Sequence, residues 1–357
     1  MRTAVLVLSS IDPTVRDAAA GVLSDVPNAV ALYYDVDHRS RGLRRVLGTT
    51  TGVVETGRRG FDTCATCAVR TDALATAGML ATRSVRSVIV ALPATMTPVP
   101  LTLGVQYSKA PIVLAGSVAV FDAGRLADDL LGADLLVDRG TNIGRDPRSV
   151  GEALGREIET ADLLLSVGSP NGPVGALLDH VAGPLPTRGT LHQVNAPAVL
   201  RRRRPAHLGT RGDLRLAAPT GAPDRDGVWT LDLISRYPLH PQRLVDRLGV
   251  LSSGRIWSRG YFWLPGSPAV QYGWNSVGGR PLIEELDYWA EAPHTRLVVT
   301  GDDDSSPRIR AAFRAALVSA TEHSVDPERW PALPDGLRRR IGARRYRCAS
   351  TVPLHSD

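Results

Sequence analysis

Lysine is almost absent from this chain of 357 residues: Lys109 stands alone against 41 arginines. Together with abundant Ala, Gly and Pro, that bias reads as the coding preference of a GC-rich genome. It also removes the residue that chemistry at phosphates most often uses as a point charge. Cysteine is scarce. The three are Cys64, Cys67 and Cys348, an odd number with one close pair, which excludes a disulfide framework of the secreted kind. Long apolar runs are missing: no stretch approaches the ~18 residues of a membrane-crossing helix. The opening Arg2 is followed by an apolar run, residues 3–10, too short for a secretory signal, so the expected location is cytoplasmic. Histidine-rich tracts, a Gly-x-Ser-x-Gly elbow and a His-Glu-x-x-His helix are all absent, and no nucleophile–base set stands out. The formal charge of +6 permits an acidic partner such as RNA without requiring one.

What is present is enough apolar residue, 43%, for a packed core. In the first half, short β-rich runs at 3–10, 29–35, 52–55, 87–92, 112–121 and 162–167 alternate with amphipathic segments, including helices opening near Asp12-Pro13 and spanning 69–81. Continuous apolar strands alternating with helices predict an α/β domain with a mostly parallel sheet covered on both faces. Residues 1–184 are assigned to it. Residues 185–227, with Arg201 to Arg204 and many Pro and Gly, read as a linker or long connection. A smaller α+β unit follows at 228–326. Its strands are expected at 229–235, 255–264, 270–276 and 296–300, with a helix after Pro241 and another capped by Ser306 ahead of Pro307. Residues 327–357 form an Arg/Pro-rich tail.

The Cys64-Ala-Thr-Cys67 spacing is the strongest chemical signal. Two thiolates so placed supply half of a tetrahedral zinc site, with Asp62, Glu55 or a distant His as candidate further donors. The pair reads equally as two small buried apolar residues or as a redox couple. The aromatic group Trp257, Tyr261, Phe262, Trp263, Tyr272 and Trp274 fits the core of a sheet better than a base-stacking surface. Arg338–Arg340 and Arg344–Arg347 fit a solvated tail better than an RNA contact, and Asp302–Asp304 a solvated loop better than a cation site.

Taken together, these motifs resemble the CobW-type GTPases, which include zinc metallochaperones. Arg236-Tyr-Pro-Leu-His-Pro-Gln-Arg243, a short helix, Ser258-Arg-Gly-Tyr-Phe-Trp-Leu264, Trp274, Gly278-Gly279 and Trp289 are similar to that family's C-terminal domain. Val53-Val54-Glu55 followed by Cys64-Ala-Thr-Cys67-Ala-Val-Arg70-Thr-Asp72 resembles its metal-binding cysteine motif, with Thr66 in place of the middle cysteine. The nucleotide motifs depart from the pattern. Where a P-loop belongs stands Ser9-Ser-Ile-Asp-Pro-Thr14; the first glycine is Gly21, and no lysine is near. Ala91 and Ala94 replace an acid and a glycine, and Val167-Gly-Ser-Pro170 replaces the guanine-reading motif. The combination resembles a divergent actinobacterial, Mrf-like branch associated with recruiting ribosome hibernation factors.

The resemblance implies a degenerate P-loop-NTPase-like domain followed by a CobW C-terminal domain. It implies zinc on Cys64 and Cys67, while the missing motifs oppose GTP and magnesium and efficient GTP hydrolysis. The function implied is a zinc-linked adaptor recruiting a hibernation factor to the ribosome when zinc is limiting. The alternatives are an active GTP-binding metallochaperone serving a client metalloprotein, and a scaffold whose cysteine pair is only structural. Neither a membrane nor a DNA partner is implied.

Overall fold

The computed structural model describes residues 2–323 except 38, 63, 95, 140–145, 147, 184–185, 204–211 and 223, with Glu55 as backbone only. Trp330, Pro334 and Leu337 are described beyond that range.

Residues 4–8 are apolar and the whole run 3–9 is buried, as a central strand requires. This is β1 (Thr3–Ser9). It is followed by α1 (Pro13–Ser24), β2 (Ala29–Asp37), β3 (Gly42–Thr49), β4 (Gly52–Gly60), α2 (Ala65–Ala81), β5 (Ser87–Ala91), α3 (Val99–Gln106), β6 (Ile112–Asp122), α4 (Leu126–Leu131), α5 (Val150–Thr160), β7 (Leu163–Val167), α6 (Pro173–Ala182), β8 (Thr187–Thr190) and α7 (Ala196–Arg201). The strands form one sheet in the order β4-β3-β2-β5-β1-β6-β7-β8. The six strands from β2 to β8 pair in parallel, whereas β3 and β4 add to the edge as an antiparallel ribbon.

Alternation along the strands sorts the core. Ala4, Leu6 and Leu8 face α1 and α7 through Ala19, Leu23, Val199 and Leu200. Val5 and Val7 face the other way, toward Val69, Ala73 and Ala77 of α2 and Leu101 and Val105 of α3. The helices therefore cover both faces, as the sequence predicted.

Several details differ from expectation, beginning with β3, which was not among the expected strands. Helix α2 starts at Ala65 rather than 69, directly after the cysteine that opens the motif. Residues 187–201, expected inside a connection, instead supply β8 and α7 to the first sheet. The strand Thr-Arg-Gly-Thr has no apolar pattern of its own; the free edge of β7 recruits it. The six-residue helix α7 is set by its Asn195 cap and an apolar face too short to show a period.

The second unit contains β9 (Asp224–Arg225), β10 (Val228–Ser235), α8 (Pro241–Ser252), β11 (Ile256–Phe262), β12 (Val270–Val277), β13 (Arg280–Tyr288), β14 (Thr295–Gly301), α9 (Ser306–Ala316) and α10 (Ala320–His323). Its sheet, in the order β13-β12-β11-β14-β10-β9, is antiparallel throughout. The cap of α9 is Ser305, one residue earlier than expected. Helices α8 and α9 cover one face over Phe262, Tyr272 and Trp274, with Phe313 of α9 packed among them.

The opposite face meets the first unit. Val228, Trp257 and Val277 share a core with Leu130, Leu154 and Leu177, and each such burial contributes on the order of 2 kcal/mol. The fit is close at Gly151, where an added Cβ would lie 2.4 Å from both Leu130 O and Val277 Cγ1. Arg255 bridges to Asp128 at 2.8 Å, and the Thr230 hydroxyl pairs with His180 Nδ1 at 2.8 Å. The aromatic group is thus core, as the sheet pattern suggested.

Candidate metal centre

In open α/β sheets, ligands bind beyond the carboxyl ends of the strands, where a helix N-terminus offers unpaired N–H groups. Two such starts matter here, those of α1 and α2.

The connection from β1 to α1 is Ser10-Ile11-Asp12, three residues between Ser9 and Pro13. A P-loop places four residues between its first glycine and the Gly-Lys that opens the helix, and its backbone N–H groups wrap phosphate. The shorter turn cannot do so. Ser10 and Ile11 are buried, and Asp12 Oδ1 accepts from Thr14 N at 2.7 Å and Val15 N at 3.3 Å. Pro13 has no N–H to offer. The aspartate therefore occupies the place of an anion at this helix start.

One turn later Arg16 is buried, but its guanidinium is committed. It donates to Asp17, to Asp35, and to the carbonyls of Tyr34 and Leu92. Nearby, burial pushes the Asp129 carboxyl up to about 6, against the pull of Arg125, and the carboxylates of Asp128, Asp12 and Asp122 push it further. Asp122 accepts from Gly124 N at 2.9 Å. After β7, Ser166 Oγ donates to Gly168 O in a turn with no acid to read a guanine. Neither turn holds the glycine cradle, the lysine or the guanine-reading acid of the nucleotide motifs.

The start of α2 is built differently. Cys64 is its N-cap, in extended conformation at φ −69° and ψ 149°, and Cys64 Sγ accepts from Cys67 N at 3.3 Å. Cys64 is exposed and Cys67 half-buried. Arg41 steadies the approach to the motif, donating to Phe61 O at 3.0 Å and Asp62 O at 2.6 Å.

Eight residues on, Asp72 is buried and anchors the helix. Its carboxylate accepts from Tyr34 Oη at 2.8 Å and pairs with Arg45 at 2.7 Å and Arg59 at 2.8 Å. The β3–β4 ribbon is thereby tied to the cysteine helix. Asp72 belongs to the sequence motif, but its arginine partners lie on a ribbon that gives them no local signature, so this cluster was not anticipated.

Thiolates are the donors zinc prefers, and the two sulfurs at one helix start fit two positions of a tetrahedral site. Asp62 lies nearby with its side chain exposed. The side chain of Glu55, and residues Cys348, Arg338–Arg340 and Arg344–Arg347, lie outside the described residues. Among the described residues no three of His, Cys, Asp and Glu gather as a metal cluster. The remaining donors expected from the sequence are thus not brought to the pair there.

Other residues singled out in the sequence have structural places. His240 caps α8 through Nδ1, which accepts from Gln242 N at 3.2 Å. Asp302 and Asp303 do not form a solvated loop. Asp302 grips Arg255 with both oxygens, and Asp303 accepts from Arg255 N and Ser305 N.

No curated protein matches the chain. Among solved structures, it is similar to Zn(II)-bound YjiA GTPase from E. coli. The identity is 15% and the TM-score 0.39, over 88% of this chain and 99% of that one. It is also similar to a Zn(II)-bound triple mutant of YjiA GTPase, at 14% identity and a TM-score of 0.38, over 88% and 99% of the two chains. Residues 228–317 match the family model of the cobalamin synthesis protein cobW C-terminal domain, so the second unit is similar to the domain that closes CobW-type proteins.

Proposed function

We propose that this protein is a zinc-linked, CobW-like adaptor that does not work by GTP hydrolysis. The observation that carries this reading is the contrast at the two helix starts. Asp12 and Pro13 close the position where phosphate would bind, whereas Cys64 and Cys67 leave two soft donors at the surface. Zinc held there by the two sulfurs would fix the first turn of α2, which Asp72 braces from behind. The surface around α2 and the β3–β4 ribbon would then differ between the metal-loaded and metal-free protein. The ribosome or a hibernation factor as partner follows from the sequence resemblance of the cysteine motif and second unit.

The test is a titration of the purified metal-free protein with Zn²⁺ and, separately, with a fluorescent GTP analogue plus Mg²⁺. The expected result is zinc binding that weakens at least a hundredfold in the Cys64→Ser/Cys67→Ser variant, with no binding of the analogue. Tight analogue binding would instead establish the second reading, a GTP-dependent metallochaperone. Zinc binding unchanged in the double variant would make the cysteines structural.

A further inference from the structure

The geometry at the start of α2 points to a second chemistry for the same pair. We propose that Cys64 and Cys67 form a reversible intramolecular disulfide by exchange with a low-molecular-weight disulfide. In the oxidised form they would be unable to hold zinc. The loss of zinc rests on the reading above; the dithiol chemistry does not.

Three observations carry the proposal. First, Cys64 Sγ lies 3.3 Å from the backbone nitrogen of Cys67. That nitrogen is two bonds from the Cβ bearing the second sulfur. Rotation about χ1 of Cys67, with adjustment of the Cys64 side chain, brings the sulfurs toward the ~2.05 Å of a disulfide with the helix in place. Second, Cys64 stands outside the helix in extended conformation, so its side chain is not held in the direction a helical residue imposes. Third, the two differ in access: Cys64 is exposed and Cys67 half-buried. An incoming disulfide therefore meets Cys64 first, and Cys67 is placed to resolve the product.

The steps balance. The Cys64 thiolate attacks one sulfur of RSSR, forming Cys64–S–S–R and releasing RS⁻. The Cys67 thiolate then attacks Cys64 Sγ, forming the intramolecular S–S bond and releasing the second RS⁻. Two electrons pass from the protein to the small disulfide, and the two protons lost by the cysteines complete two RSH. In an intracellular setting such a pair serves as a transient or sensing disulfide rather than a permanent staple. Because thiolates rather than disulfide sulfurs bind zinc, the two states exclude each other.

The experiment uses the full reduced, metal-free chain incubated with oxidised glutathione, then alkylated and digested with trypsin. Both cysteines fall between Arg59 and Arg70, in one tryptic peptide. The expected result is that peptide two hydrogen masses lighter, with alkylatable thiols falling from three to one per chain and restored by dithiothreitol. In Cys67→Ser the reaction should stop at glutathione on Cys64. Accumulation of that mixed disulfide in the wild type, no reaction, or linkage to Cys348 would overturn the proposal without touching zinc binding. Prior zinc should slow oxidation of the wild type at least tenfold. An unchanged rate would overturn the exclusion between the two states and leave the exchange chemistry supported.

Discussion

Helices α1 and α2 begin on the same sheet, and each has its first N–H groups met by a side chain of its N-cap residue. At α1 the cap is a carboxylate, Asp12, set in a three-residue turn with Ile11 buried beside it and Pro13 behind it. At α2 the cap is a sulfur, Cys64, exposed and one turn from a second sulfur. A carboxylate at a helix start satisfies the N–H groups and the positive end of the dipole together, leaving nothing for a phosphate. A sulfur is a weak acceptor and a strong ligand for soft metals, so the same cap position suits a metal rather than an anion. The two starts thus differ in the chemistry of the cap and in the length of the turn that leads to it.

The comparison breaks most severely at Asp72, which ties α2 to the β3–β4 ribbon. Asp72→Ala leaves half-buried Arg45 without its carboxylate and Tyr34 Oη, on a buried ring, without the acceptor it has here. Arg45 keeps Thr56 and Thr76 as acceptors and Arg59 reaches solvent, so the cost is about 1–3 kcal/mol, below that of a fully buried pair. The expected outcome is a clear drop in melting temperature and faster hydrogen exchange over the first turns of α2 and over β3–β4. Calorimetry together with exchange mass spectrometry checks it. Unchanged exchange at α2 would mean that the ribbon does not brace the cysteine helix.

The sequence made much of this legible where local pattern carries the information. The buried runs of β1, β5 and β7 announced a covered parallel sheet. The Pro-rich entry to α8 and the aromatic alternation of β11 and β12 announced the second unit. The short turn without glycine at residues 10–12 already argued against phosphate. What stayed hidden was non-local. Strand β8 exists because β7 has a free edge. Arg45 and Arg59 matter because β3 and β4 fold back over Asp72. The capping role of Asp12 depends on where α1 begins, which the sequence placed only to within a residue or two. The cysteine pair was visible, but which sulfur is exposed depends on the helix opening at Ala65.

The mouth beside α1 can be sharpened by pH. Asp129 is raised from the ordinary 3.8 to about 6 by burial, with Asp128, Asp12 and Asp122 adding to the effect and Arg125 opposing it. Arg139 also pairs with it at 2.8 Å. A raised acid binds its proton more tightly in the folded state, so its contribution to stability is fully present below about 3.8. That contribution is lost as pH rises through about 6. Wild-type stability should therefore carry a falling component between pH 4 and 6.5, and Asp129→Asn should flatten it. Chemical denaturation across that range is the measurement. An equal slope in both proteins would remove Asp129 as the source.

The smallest effect, and the most direct test of the contrast, is Asp12→Ala. Loss of an N-cap carboxylate costs about 1 kcal/mol, because Thr14 N and Val15 N exchange a fixed acceptor for water. If the cap alone excluded phosphate, the variant would gain affinity for the fluorescent GTP analogue. The turn between Ser9 and Pro13 remains three residues long, Pro13 still lacks an N–H, and the carboxylates of Asp122 and Asp128 remain nearby. The expected outcome is thus a slightly less stable protein that still does not bind the analogue. Binding gained on this one substitution would show that loop length is not the barrier and that the site is held shut by Asp12 alone.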